Sequence, residues 1–190
     1  MAKITGTTEL HTGWTRFLRV DIEDGPQRFS REVEDHGNAA AVLPYDPVSR
    51  KVVLVRLLRG PMLHAGTDGM SLEVPAGIVD DGEDFMDAAR REALEETGLK
   101  ISDLEHIGTV WTTPGISTER IALFLAPFGP ADRIATGGGL AQEHENITVV
   151  ELDIAELWSM MVRGDLADMR TLTLLLALRQ RHPDLFDEAD

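Results

Sequence analysis

Three glutamates, Glu92, Glu95 and Glu96, stand within one short reach of the stretch EVPAGIVDDGEDFMDAARREALEETGL, residues 73–99. On a helix, carboxylates at i, i+3 and i+4 are neighbours and repel by about 0.2–0.5 kcal/mol per pair. A chain tolerates that on a solvated face, or where positive charge sits among the acids. At about 100° per residue, Phe85, Met86, Ala88, Ala89 and Ala93 share one arc, and Glu92 and Glu96 fall inside it. Glu83, Asp84, Asp87, Arg90 and Arg91 gather on the opposite arc, with Leu94 the exception, and Glu95 lies on the border one turn after Arg91. Carboxylates turned toward an apolar side are costly to bury alone, so they require a cation or a shifted proton. Oxygen-only ligands favour a hard ion, Mg²⁺ or Mn²⁺, which keeps waters and is completed by substrate phosphates. The carbonyl of Ala76, in the turn before the helix, is a further candidate ligand. The implied chemistry is hydrolysis of a phosphorus–oxygen bond, with metal clamping the phosphates and activating water.

These residues need a scaffold. The spacing predicts a helix from about Asp84 to Thr97, closed by Gly98 as a C-terminal cap, with Arg91 reaching Glu95 across one turn. HTGWTRFLRVDIE and PQRFSREVE alternate around Asp24-Gly25-Pro26 and read as a hairpin. Strands are expected at NAAAVLPYDP, KVVLVRLL, SLEVPAGIV, LEHIGTVWT, RIALFLAPF and ENITVVELD, and two closing helices at IAELWSMMVRG and DMRTLTLLLALRQ. Strands outnumber helices without a strict βαβ rhythm, which favours a mixed sheet with helices packed on it. GPADRIATGGGLAQEHEN, with Gly137 to Gly139, reads as a functional lid or a flexible loop.

A chain of 190 residues fits one domain or a domain with a small appendage. No apolar run approaches a membrane span, and MAKITGTTELHTGW lacks a secretory core. The absence of cysteine excludes disulfides, Cys-based zinc sites and thiol nucleophiles, and a cytoplasmic protein is expected. With 33 acidic against 18 basic residues, a net −15, the chain is no phosphate-backbone binder, so neither nucleic acid nor membrane is expected as a partner.

Gly77, Glu83, Arg91, Glu92, Ala93, Glu95, Glu96, Gly98 and Leu99 together resemble the Nudix box. Every polar position matches, and Ala93 is smaller than the usual aliphatic residue. The resemblance implies an α/β/α sandwich with a mixed sheet, here with a small N-terminal antiparallel hairpin or sheet, and hydrolysis of a nucleoside diphosphate linked to another moiety. It implies metal ligation by Glu92 and Glu96, assisted by Glu95 and the Ala76 carbonyl, with Arg91 orienting the glutamates and Glu83 bracing the loop.

Features outside the box resemble the ADP-ribose pyrophosphatase branch over about residues 25 to 180. Pro114 lies sixteen residues after Gly98, like that branch's marker proline, although Thr113 and Trp111 stand where Ser and Tyr are usual. Trp111 is either a core residue or a base-stacking one. By resemblance, Arg31 and Arg59 contact diphosphate or ribose and Glu119 the substrate sugars. Glu143 takes the place of the general base and Glu145 of an additional metal ligand, with His144 a rival base. Residues 1–36 form an N-terminal strand region implied to exchange between subunits of a homodimer, and 37–190 the catalytic domain. GTDGMSLEVPAG resembles the GDP-mannose hydrolases instead. The expectation is Mg²⁺-dependent cleavage of ADP-ribose to AMP and ribose 5-phosphate. GDP-mannose hydrolysis and a non-catalytic nucleotide-sugar sensor are the alternatives, and a nucleoside-triphosphate cleanser is disfavoured by Pro114 and the N-terminal hairpin.

Overall fold

Asp84 accepts the backbone N–H of Met86 at 2.8 Å and of Asp87 at 2.9 Å, and thereby starts helix α2, Phe85–Thr97, in the computed structural model. The structure describes residues 1–139 and 146–187. Gly98 closes the helix at φ +74°, with its N–H on the carbonyls of the last turn. A side chain there would also collide with the Ala135 carbonyl, 2.0 Å from an ideal Cβ, so the cap admits only glycine.

The chain gathers into two compact units, one formed by Met1–Ala39 with Thr109–Ile121, the other by Ala40–Gly108 with the described residues from Ala122 onward. The first unit holds an antiparallel sheet in the order β1 (Lys3–Thr12), β2 (Arg16–Asp24), β3 (Gln27–Asp35). Leu18 pairs with Val33 and Ile22 with Phe29, and Asp24 faces Gln27 across a two-residue Gly-Pro turn. The hairpin expected from sequence is β2–β3; β1 is an added strand split from it by a bend at residues 13–15. No side chain of β1 is buried, so its sequence carries none of the two-residue contrast that marks a strand. The discontinuous segment Thr109–Ile121 joins this unit through a parallel bridge between Glu34 and Ser117.

The second unit is built on a mixed sheet. Its order is β10 (Thr148–Asp153), β5 (Lys51–Leu58), β4 (Ala39–Asp46), β9 (Arg120–Pro127), β8 (Glu105–Trp111), with β6 (Met70–Glu73) on β5 and β7 (Ala76–Ile78) on β4. The ends of β8 and β9 belong by their residues to the first unit. Every residue of β4 is buried, the continuous apolar pattern of a strand covered on both faces. Ala88, Ala89 and Ala93 of α2 pack with Val42, Val53, Ala122 and Phe124 of the sheet. Their small side chains bring the helix axis close to the strands. A short helix α1 (Gly60–His64), and α3 (Ile154–Arg163) and α4 (Met169–Arg181), complete the unit. The buried residues of α3 are Ile154 and Leu157, and those of α4 are Thr171, Leu174, Leu175 and Leu178. Among the described residues no helix is long and apolar enough to cross a membrane.

Candidate active site

The positive charge among the glutamates belongs to Arg91. Its Nε and Nη2 take the two oxygens of Glu83 at 3.0 and 2.9 Å, and Nη2 also donates to the Ile78 carbonyl at 2.8 Å. Nη1 reaches Glu92 at 2.6 Å and Glu95 at 3.3 Å. Glu83 in turn accepts the Asp80 N–H at 3.1 Å, which ties the loop before α2 to the helix. The Glu83 hydrogen bonds, opposed by burial and joined by Glu92, raise the Arg91 pKa well beyond its ordinary value. The same bonds to Arg91 outweigh burial and hold the Glu83 carboxyl below the usual range.

Sequence and packing together set the other two carboxylates inward. Glu96 is 3% exposed and accepts the Ala76 N–H at 3.0 Å. Glu92 lies against the backbone of Gly77, where a Cβ would sit 1.9 Å from its Oε1. Glycine at 77 is therefore a matter of space: the glutamate occupies the volume that any side chain would fill. Glu92 and Glu96 thus share one short stretch of backbone, Ala76–Gly77, which is the start of strand β7 and not the turn expected from sequence, while Glu95 is half-buried.

This donor set fits a hard divalent ion. It offers carboxylate oxygens beside the backbone of strand β7. Among the described residues no three acidic or histidine side chains converge closely enough to hold an ion by themselves.

A second charged group adjoins the first electrostatically. Arg59, at the end of β5, forks onto Glu73 of β6 through Nε at 3.0 Å and Nη2 at 2.7 Å. Glu73, 3% exposed, also accepts Arg170 Nη2, whose Nε donates to Asp168 at 2.9 Å. Burial alone would push the Glu73 carboxyl up, but the Arg59 hydrogen bonds and the Arg170 and Arg59 charges bring it below its ordinary range. Arg59 is held charged first by Glu73, against the cost of burial, and also by the charges of Glu96 and Asp168. Arg59, named from sequence, thus sits within the field of Glu96. Glu73 and Arg170 were missed. A lone glutamate in the apolar run SLEVPAG was the available signal for Glu73; nothing distinguished Arg170 from other helix-face arginines.

The remaining sequence candidates stand on other elements. Arg31 is exposed on β3, its guanidinium 4.5 Å from the Phe29 ring centroid and its Nη1 on the Ser30 carbonyl at 2.9 Å. Glu119 accepts from His36 at 3.2 Å. Both belong to the first unit, whereas Arg59, Ala76 and the α2 glutamates belong to the second. Trp111 is 54% exposed and so is no core residue; with Pro114, Val20, Ile22 and Ile116 it lines an apolar groove of the first unit. Glu143, His144 and Glu145 lie outside the described residues. The stretch before them is fastened to α2: Gly138 and Gly139 donate backbone N–H to the carbonyls of Glu96 at 2.9 Å and Glu95 at 3.1 Å. Ile134 and Ala135 do the same to Gly98 at 3.0 and 3.2 Å.

A mixed sheet carrying an arginine- and glutamate-rich helix, whose inner carboxylates rest on a glycine-bearing strand, defines an α/β protein of the Nudix type. Residues 35–169 match the NUDIX domain, and the chain belongs to the Nudix family. It is 39% identical over 155 residues to a GDP-mannose pyrophosphatase of Cronobacter sakazakii, covering 81% of this chain and 80% of that protein. Proteins of the same name from Salmonella arizonae and Escherichia coli are 37% and 34% identical over 156 residues, each covering 82% of this chain and 80% of the relative.

Proposed function

We propose that this protein hydrolyses the pyrophosphate bond of a nucleoside diphosphate sugar, with GDP-mannose as the foremost substrate, giving a nucleoside monophosphate and a sugar 1-phosphate. The observation that carries the reading is the glutamate pair, Glu92 and Glu96, seated on the Ala76–Gly77 backbone of β7, with Glu92 braced by Arg91. The names of the relatives favour GDP-mannose over the ADP-ribose expected first from sequence, which becomes the second reading.

In this proposal Glu92 and Glu96 hold Mg²⁺, with Mn²⁺ a possible substitute, and Glu95 and the Ala76 carbonyl assist. The ion supplies charge neutralisation on the diphosphate and an acidified water. Arg91 spreads one guanidinium over three carboxylates and so fixes the Glu92 rotamer before substrate arrives. Arg59 presents a cation whose fork is already fixed on Glu73, which lowers the ordering cost of a phosphate contact. Arg31 and Glu119 contact the nucleotide and sugar parts. Glu143 takes the proton of the attacking water, with His144 as rival and Glu145 as a further metal ligand. Ile4, Leu10 and Trp14, at 64%, 50% and 79% exposure on the N-terminal sheet and its turn, support a homodimer formed through that unit. A chain without cysteine suits a cytoplasmic setting.

The test is a substrate panel of GDP-mannose, ADP-ribose, ADP-glucose and NADH with Mg²⁺, products identified by chromatography. The expected result is highest kcat/KM on GDP-mannose with GMP as a product. Preference for ADP-ribose would install the second reading, and tight binding without turnover would replace hydrolysis by a sensor role.

A further inference from the structure

The first unit contains a carboxylate–imidazole–carboxylate bridge. His36 Nδ1 meets Glu34 Oε1 at 2.5 Å, and Nε2 meets Glu119 Oε1 at 3.2 Å. All three side chains are largely covered, at 14%, 17% and 18% exposure for His36, Glu34 and Glu119. The Trp14 ring stacks on the imidazole at 5.2 Å and 23°, closing one face. Glu34 is itself fixed, because Ser117 donates to its Oε2 at 2.6 Å and Thr15 also donates to its carboxylate. The backbone locks the same region, with Glu34 N–H on the Ile116 carbonyl at 2.8 Å and Thr118 N–H on the Glu34 carbonyl at 3.0 Å.

A neutral imidazole has one N–H, so it can donate to Glu34 or to Glu119 but not to both. Only the imidazolium satisfies the two acceptors at once. The charged groups that act on His36 are Glu34 from β3 and Glu119 from the segment before β9; Trp14, stacked on its ring, carries no charge. We infer that His36 is a positioning residue: as an imidazolium anchored on Glu34, it holds the Glu119 carboxylate in the orientation that receives the substrate. The inference rests on the reading that Glu119 contacts the sugar or nucleotide. Burial opposes the charge on His36, but the Glu34 and Glu119 hydrogen bonds prevail and raise its pKa. The imidazolium therefore persists to higher pH than that of a free histidine, and once it is lost a single N–H remains for the two carboxylates.

Steady-state kinetics on GDP-mannose with saturating Mg²⁺ tests this across pH 6 to 9. Wild-type KM should rise with pH while kcat follows its own profile. His36→Gln, neutral at every pH, should raise KM about five- to tenfold at the acid end and remove its pH dependence, with kcat within about twofold. His36→Arg, a permanent cation, should flatten the KM profile nearer the acid-end wild-type value. Glu119→Gln tests the underlying reading and should raise KM at all pH values. If Glu119→Gln raises KM while His36→Gln keeps wild-type KM and pH profile, the positioning role is overturned and the Glu119 contact stands. A wild-type KM that stays flat across the pH range in which NMR shows the His36 imidazole losing its proton, a result that needs no variant to fold, also overturns it. Unchanged KM in Glu119→Gln overturns both.

Discussion

At the scale of single residues, charge is balanced by pairing that burial makes consequential. Glu73 and Glu83 both have carboxyl pKa values held below the ordinary range, Glu73 against strong desolvation and Glu83 mainly through Arg91. A carboxyl depressed in the folded state contributes stability that is present above its unfolded pKa and is lost as pH falls through the folded one. Thermal stability should therefore decline as pH drops below the normal carboxylate range, and Glu73→Gln should flatten part of that decline. Melting curves from pH 3 to 7 check this; a parallel loss in wild type and variant would contradict it. The box residues were legible because their partners are near in sequence: Arg91 reaches Glu83 and Glu95 within one helix and its preceding loop. The bond between Arg170 and Glu73 spans 97 positions and joins a helix to a strand, so no local periodicity announces it. His36 was likewise hidden, since its partner Glu119 stands 83 residues away.

At the scale of elements, α2 and strand β7 act as one part. Alanines at 88, 89 and 93 draw the helix onto the sheet, and Glu92 then fills the space beside Gly77. Gly77→Ala should displace Glu92 and reduce kcat about 10- to 100-fold. Mg²⁺ affinity should fall with it, while the melting temperature changes less than in Gly98→Ala, where a left-handed cap is lost as well. Kinetics and melting of the two variants separate the effects; equal activity in Gly77→Ala and wild type would contradict the seat assigned to Glu92. The helix was readable from capping and wheel geometry. Strand β1 was not, because all its side chains face solvent or lie at the surface, and a strand without a buried face has no sequence contrast.

At the scale of the whole molecule, the Nudix family assignment explains why so acidic a chain, at net −15, can act on an anion. On the proposed reading, Glu92 and Glu96 would let a divalent ion bridge them to phosphate, while Arg59, Arg91 and Arg170 temper the local field. The fold class followed from strand-rich patterning without βαβ rhythm, but the inclusion of Thr109–Ile121 in the first unit is a tertiary fact that no linear reading contains. The central claim is that Glu92 and Glu96 on α2 bind the ion against the pyrophosphate. Its most direct test is a Mg²⁺ titration of GDP-mannose hydrolysis by wild type and by Glu96→Gln of matched circular dichroism. The account predicts that kcat falls at least about 100-fold and that the half-saturating Mg²⁺ concentration rises. A variant with near-wild-type turnover and the same Mg²⁺ dependence would contradict it.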